Sequence, residues 1–456
     1  MLQVPPDKST TAPAARPTHT RDVFAIAGPA MLANLTTPLL GVVATAAIGR
    51  LGDAALLGGV AMATVIFDCL FWLFGFLRMG TVAFTAQAKG AGEQDDFPVL
   101  LARALLLAGV TGALLIVLQV PLANVLFGVM GGSDGVRRAA QAYFAVRIWS
   151  APLVFANYVI LGWLVGQARA VLALAIQVTI DIAGMALTVA LVLALDWGIA
   201  GAAAASIVAE ACGLVIGLAI AWRLLGGRFA VPAAALFDRA KFLRMMAVNR
   251  DIMIRTAALI AALLFFVSQG ARAGDVTLAA NAVLNNLLLV SFFFLDGLAN
   301  AAEQLCGQAY GARNRNAFAS ATRLVLAWGF AFAIGVALVY ALFGATLIDA
   351  MTASDDVRRV ARDFLVFAVI APLPGVFAMA FDGVFIGATW SRDMRNLMTL
   401  ALLTYVATWF VLQPFGNAGL WGALIAFYAA RGGLQALRYP ALLRKSFENT
   451  RPVART

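Results

Sequence analysis

The sequence predicts an all-α integral membrane protein: twelve transmembrane helices in two parallel six-helix repeats, related by a pseudo-two-fold axis along the membrane normal. Three observations predict it. The 456 residues are 62% hydrophobic and only 12% charged, where a soluble domain carries about 25% charge. The apolar residues fall in runs near the ~20 residues that a helix needs to cross a bilayer. The chain also repeats itself. Gln87-Ala88-Lys89-Gly90-Ala91 returns as Gln308-Ala309-Tyr310-Gly311-Ala312, Val136-Arg137-Arg138 as Val357-Arg358-Arg359, and Gly162 and Gly166 as Gly383 and Gly387, all at an offset of 221 residues. With one-residue slips, Arg50-x-Gly52-Asp53 matches Arg272-x-Gly274-Asp275, and Ala151-Pro152-Leu153 matches Ala371-Pro372-Leu373. An ordered series at nearly fixed spacing marks a duplicated half.

Residues 1–21 are rich in Thr, Pro and Ala and lack an apolar h-region. They read as a disordered cytoplasmic tail rather than a signal peptide. Spans are expected at 22–47, 55–80, 98–128, 138–163, 170–194 and 199–225, forming an N-terminal six-helix bundle over 22–225. Pro29 and Pro38 lie in the first span, where each removes a backbone hydrogen bond and should bend the helix. The stretch 226–249 carries Arg228, Asp238, Arg239, Lys241 and Arg244 and reads as the linker. Further spans at 250–271, 277–305, 318–348, 360–388, 396–413 and 418–440 form a C-terminal bundle over 250–440, and 441–456 is a basic cytoplasmic tail. Six crossings return the chain to its starting side, so the halves are parallel repeats. With the N-terminus inside, about 23 Lys and Arg face the cytoplasm against about 8 on the other side, which favours both ends inside.

The net charge of +10 does not point to nucleic acid, because the basic residues sit in short loops between apolar spans. Cys69, Cys212 and Cys306 are widely separated inside apolar spans and make no disulfide or metal framework. The only histidine, His19, lies in the polar N-terminal region. No phosphate loop, zinc-protease helix or serine-hydrolase elbow is present. The expectation is a chain without enzyme activity, metal or cofactor.

The motifs carry a resemblance. Ile26-Ala27-Gly28-Pro29-Ala30 leads into Ala33-Asn34-Leu35-Thr36-Thr37-Pro38-Leu39-Leu40-Gly41, followed by Ile48-Gly49-Arg50-Leu51-Gly52 and Gly75-Phe76-Leu77-Arg78-Met79-Gly80-Thr81. The second half has Asn249-Arg250-Asp251-Ile252, Leu295-Asp296-Gly297, Gly307-Gln308-Ala309-Tyr310-Gly311-Ala312-Arg313 and Asp382-Gly383-x-Phe385-Ile386-Gly387-Ala388. Together these resemble the multidrug and toxic compound extrusion (MATE) family of the MOP superfamily, and within it the DinF-like branch, over about residues 22–440. The resemblance implies two bundles around a central cleft in a bacterial inner membrane. It also implies export of drugs by exchange for protons or sodium, with a first helix that flexes.

The chain departs from that pattern. The family's acid in the first helix aligns with Ala44, and one in the fifth span with Thr188. Asp68 and Asp181 stand nearby in sequence instead.

An ionised carboxylate at the centre of a lone helix costs roughly 2.5 kcal/mol or more. Asp68, Asp181, Glu210, Asp296, Glu303 and Asp382 all fall inside expected spans. They must face water, pair with bases or carry a proton. Asp68 and Asp181 are the expected replacement proton-linked pair, with hydrogen-bonded structural acids as the alternative. Asp296 and Asp382 are expected to bind or couple, with Arg255 as a gate partner of Asp382. Asp251 is expected to pair locally with Arg255 at i, i+4, and Arg78 to snorkel to the interface. Glu303 and Glu210 are expected either to face the cavity or to hydrogen-bond between helices, and Asn34 to contact substrate in the cavity or a neighbouring helix.

The leading expectation is a monomeric antiporter that exports amphipathic, cationic compounds in exchange for protons by alternating access. Two rivals remain: a lipid-linked precursor flippase of the same superfamily, and a non-transporting membrane receptor or scaffold.

Overall fold

The computed structural model describes residues 18–130, 133–227 and 231–448. Among them all regular structure is helical. In chain order the helices are α1 (Thr20–Gly49), α2 (Ala54–Leu73), α3 (Phe76–Ala91), α4 (Phe97–Val117), α5 (Gln119–Met130), α6 (Asp134–Arg147), α7 (Ala151–Gly166), α8 (Ala170–Val189), α9 (Gly198–Leu224) and the short α10 (Ala233–Leu236). The second half continues with α11 (Arg239–Arg272), α12 (Asp275–Gly311), α13 (Arg315–Met351), α14 (Asp355–Ile370), α15 (Pro372–Gly387), α16 (Ser391–Leu412) and α17 (Gly416–Phe447).

Ten described helices are long and apolar enough to cross a membrane, or eleven with the α14–α15 pair, which bends by 44°. One of the ten is a 57-residue stretch, Ser391–Phe447. As a straight rod it would run about 85 Å, far beyond a ~30 Å hydrocarbon core. The chain reverses inside it, at Gly416, whose φ of 56° suits glycine. There α16 and α17 fold back and pack on each other. Counted as two crossings, they complete the twelve.

The expected spans differ from these helices where local chemistry breaks them. The expected 138–163 span divides into α6 and α7, and 360–388 into α14 and α15, at the repeat-equivalent Pro152 and Pro372. Proline fits the first turn of a helix but cannot continue one. The expected span 98–128 divides into α4 and α5, and 55–80 into α2 and α3, with α3 running on to Ala91. The expected linker is helical from Arg239 onward, where Asp238 caps the helix by accepting from the Lys241 backbone N–H at 3.0 Å. At the other end α17 reaches Phe447, past the expected 440. The expected tails lie outside the described residues at 1–17 and 449–456. α1 is continuous through Pro29 and Pro38, so any bend there does not interrupt it; the Pro38 side chain lies outside the described part.

The duplication is visible in the contacts. Ser133 caps α6 through the Val136 N–H at 3.4 Å, and its repeat partner Ser354 caps α14 through the Val357 N–H at 3.5 Å. Gly162 and Gly166 of α7 lie against the backbone of α3, and Gly383 and Gly387 of α15 lie against α12 in the same way. Small residues four apart let helix backbones approach closely.

Where α3 crosses α12, the contact is reciprocal. A Cβ on Gly90 would lie 2.0 Å from the Gln308 carbonyl oxygen, and one on Gly311 would lie 1.9 Å from that of Gln87. Residue i meets j′ while i′ meets j, as a two-fold relation requires. Gln87 Nε2 also donates to the Gly387 carbonyl at 2.7 Å. The bundles therefore meet backbone to backbone at this end. Valine at Gly90 or Gly311 is expected to cost about 1–3 kcal/mol by overpacking, read as a lower thermal unfolding midpoint in nanodiscs. Gly109→Val, where a Cβ meets open space, is the control; equal midpoints would contradict the contact.

Candidate functional site

α1 packs on α8 of the N-terminal bundle and on α12 of the C-terminal bundle. It reaches each through a polar side chain. Asn34 Nδ2 donates to Asp296 Oδ2 and to the Phe293 carbonyl, both at 3.1 Å. Thr36 Oγ1 donates to Asp181 Oδ2 at 2.7 Å. Residues two apart on a helix point about 200° from one another. Two neighbouring polar positions therefore bind carboxylates in opposite bundles.

Each carboxylate has further donors. Asp181 is buried and accepts from Gln177 Nε2 at 3.1 Å. Asp296 Oδ2 also accepts from Asn300 Nδ2 at 3.2 Å, and Asn300 Oδ1 accepts from Arg78 Nη1 at 2.7 Å. Arg78 comes from α3, so this chain crosses the bundles a second time. It has no ion-pair partner among the described residues. The expected snorkelling of Arg78 is incorrect. α2 and α3 together form one apolar span, Ala54–Ala91, so Arg78 lies within the span and not at its end.

Two cavities meet at Arg78. The larger, about 200 Å³, lies between α1, α7 and α8 and is lined by Asn34, Arg78, Tyr158, Gln177 and Asn300 among apolar side chains. The smaller, about 30 Å³, is bordered by Arg78, Arg255, Asp296, Glu303 and Asp382. That is room for about one water. Glu303 is buried, and its Oε1 has no hydrogen-bond partner among the described residues.

In the C-terminal bundle Asp382 is clasped by three side chains. Arg255 and Arg431 both approach its Oδ2, and Gln435 Nε2 donates to its Oδ1 at 2.8 Å. All four residues are buried. Arg431 and Gln435 come from α17 and escaped the sequence reading. Their signal was an arginine within the expected 418–440 span, a position that carries a desolvation cost and needs a partner. Asp251 does not pair with Arg255 as expected. With Arg255 committed to Asp382, Asp251 accepts from Arg395 Nη1 at 2.7 Å and from Ser391 Oγ at 3.2 Å, both supplied by α16.

The remaining candidates lie apart. Asp68 is exposed on α2, on one stripe with Val65 and Trp72, and accepts no hydrogen bond among the described residues. The nearby cation is Arg147, which donates to Tyr143 at 2.6 Å and to Ser206 at 3.0 Å and lies 5.3 Å over the Phe67 ring. Neither Asp68 nor Asp181 lines either cavity. Glu210 accepts from Asn157 Nδ2 at 2.7 Å.

Removing one partner of a buried ion pair leaves an uncompensated charge and costs about 3–5 kcal/mol. Asp382→Asn strands two arginines, whereas Arg431→Met leaves the Arg255–Asp382 pair in place. Thermal unfolding in nanodiscs should therefore show Asp382→Asn as clearly the more damaging. The reverse order would mean that Arg431, not Asp382, organises this cluster.

The matches to known proteins agree with this architecture. The MatE family profile matches residues 29–195 and 252–411, one segment per repeat. The DNA damage-inducible protein F of Escherichia coli is 37% identical over 426 residues, 93% of this chain and 92% of that protein. A MOP superfamily transporter from Pyrococcus furiosus superposes with a TM-score of 0.84 at 19% identity, over 93% of this chain and 96% of the other. The MATE transporter VcmN of Vibrio cholerae, solved in a substituted form, gives 0.85 at 19% identity over 93% and 97%. From the paired segments, the long DinF-like match and the shared two-bundle fold, this multi-pass membrane chain belongs to the MATE family of transporters.

Proposed function

We propose that this chain exports amphipathic compounds in exchange for protons by alternating access of its two bundles. It would act as a monomer in a bacterial inner membrane with both termini in the cytoplasm. The observation that carries the reading is α1, hydrogen-bonded to Asp181 in one bundle and Asp296 in the other.

Thr36 and Gln177 present donors to Asp181. A proton arriving on Oδ2 converts that acceptor into an O–H, and the Thr36 hydrogen bond in its present direction is lost. That O–H donates to Thr36 Oγ1, whose own hydrogen turns to the Ala33 carbonyl at 3.0 Å; a bond between neutral groups is weaker than one to a charge, so α1 is held less firmly to α8 while Asn34 still holds it to Asp296. Proton binding thus biases which bundle α1 follows, and the cavity between α1, α7 and α8 changes shape with it. The reciprocal Gly90 and Gly311 contacts hold one end of the cleft shut in this arrangement. Rocking one bundle against the other opens that end.

Asp181 is the principal proton carrier in this scheme. Asp68, on an exposed face with Arg147 nearby, is an accessory acceptor. Glu303 and Asp296 form a second polar centre beside the small cavity. Asp382, held by Arg255 and Arg431, fixes α15 to α11 and α17. Thr36 stands on α1 as a neutral hydroxyl, and the charge sits across from it on α8. That arrangement gives the absent acid at Ala44 a substitute on the neighbouring helix.

Flux in proteoliposomes under a proton gradient alone and a sodium gradient alone tests the coupling. The proton gradient should drive export and the sodium gradient should not. Asp181→Asn should reduce proton-driven flux by tenfold or more, about 1.4 kcal/mol in the coupled step, and flatten its dependence on pH. Thr36→Val, which keeps the acid but removes its link to α1, should slow flux while leaving pH dependence in place. Sodium-driven flux, or an unimpaired Asp181→Asn, would contradict the scheme.

A further inference from the structure

The charge of the cargo can be read from the wall of the larger cavity. Among the described residues that line it, one side chain carries a full charge, and it is a cation, Arg78. Asp296, Asp181 and Glu210 stand behind neutral groups, and Glu303 borders Arg78 only from the smaller cavity on its other side. Asn34 and Asn300 turn their amide nitrogens toward Asp296, Gln177 turns its own toward Asp181, and Asn157 does the same for Glu210. Each amide spends a donor on the acid behind it.

Arg78 has donors to spare. A guanidinium carries five N–H groups in a planar fork. Only Nη1 has a protein acceptor among the described hydrogen bonds, the amide oxygen of Asn300. The other wall of the cavity is apolar, with Ile26, Pro29 and Ala30 on α1 facing Leu161, Val165 and Leu174 on α7 and α8. A cation entering this space meets a like charge with its possible counter-ions screened by amides. An anion meets a guanidinium with no ion pair among the described residues, and such a group binds two oxygens through parallel hydrogen bonds. Its hydrocarbon part lies along the apolar wall.

We propose that Arg78 selects the cargo of this transporter, and that the cargo is an amphipathic organic anion whose oxyanion head, carboxylate or sulfonate, docks on that guanidinium. The inference rests on the export reading above and reverses the cationic cargo that the excess of intramembrane acids led us to expect. An interior-negative membrane potential pushes such an anion outward.

The test uses two probes with the same ten-carbon tail, decanesulfonate and decyltrimethylammonium. Both are permanently charged, so neither crosses the bilayer as a neutral species. Their fluxes are compared in proteoliposomes holding the full chain, its Arg78→Gln variant or its Arg78→Lys variant. The full chain should move decanesulfonate faster. Arg78→Gln should lower the sulfonate-to-ammonium flux ratio about tenfold or more, the effect of losing a charge-assisted hydrogen bond. Arg78→Lys, a cation without the fork, should recover part of the ratio. A higher flux for decyltrimethylammonium in the unaltered chain would overturn the proposal. So would an unchanged ratio in Arg78→Gln, which would leave Arg78 as a structural post on Asn300.

Thermal shift in nanodiscs with each probe separates this proposal from the export reading. Stabilisation by decanesulfonate that Arg78→Gln abolishes, with no flux of either probe, keeps the anion site and removes the exporter. No stabilisation and no flux removes both.

Discussion

α1 lies between the two bundles and is tied to each by a hydrogen bond to a carboxylate, as the moving part of the proposed exchange requires. Asn34 ties it to Asp296 and Thr36 ties it to Asp181. Hydrogen bonds to charged partners are worth about 1.5–3 kcal/mol each. That is enough to set a position and small enough to be reversed by one proton. The rest of the site takes its meaning from this arrangement. The larger cavity opens beside α1, and Arg78 and Asn300 extend the same polar chain back from α12 to α3.

The C-terminal bundle works differently. Its charges are gathered around Asp382, which is shared by Arg255 and Arg431 and supported by Gln435. Such a cluster is costly to assemble out of water and costly to break. It joins α11, α15 and α17 into one body. In the proposed scheme this bundle is the frame, and α1, hydrogen-bonded to Asp296 and the Phe293 carbonyl on one side and to Asp181 on the other, is the moving part. The reciprocal glycine contacts between α3 and α12 add a closure that depends on shape rather than charge.

Much of this was legible in the sequence, and the failures have physical causes. Hydrophobic run length gave the spans, and the 221-residue offset gave the repeat, because both are periodic signals that tertiary context does not erase. The resemblance to the MATE family rested on short motifs such as Gly307-Gln308-Ala309-Tyr310-Gly311, and its glycines prove to be the points where backbones touch. Arg78 was misjudged because its helix was ended at 80, eleven residues short of Ala91. A boundary error at a helix end turns an interior charge into an interfacial one. Asp251 was misjudged because i, i+4 spacing describes what can pair on an isolated helix, and α16 brought a better partner in Arg395. Arg431 was passed over because the search for unusual charges followed acids alone. The partners of Asp181 and Asp296 on α1 were beyond reach, since nothing in one sequence says which face of a mid-membrane helix meets which bundle.

The most direct test of the account is the distance between α1 and α8 as a function of pH, measured by electron-electron resonance between spin labels at the exposed positions Leu32 and Ile182 in nanodiscs. Lowering the pH from about 8 to about 5 should shift the distance distribution to longer values. Asp181→Asn should hold it there at every pH. A distribution that does not change with pH in the unaltered chain, or one that changes equally in Asp181→Asn, would contradict the role given to the Thr36–Asp181 hydrogen bond.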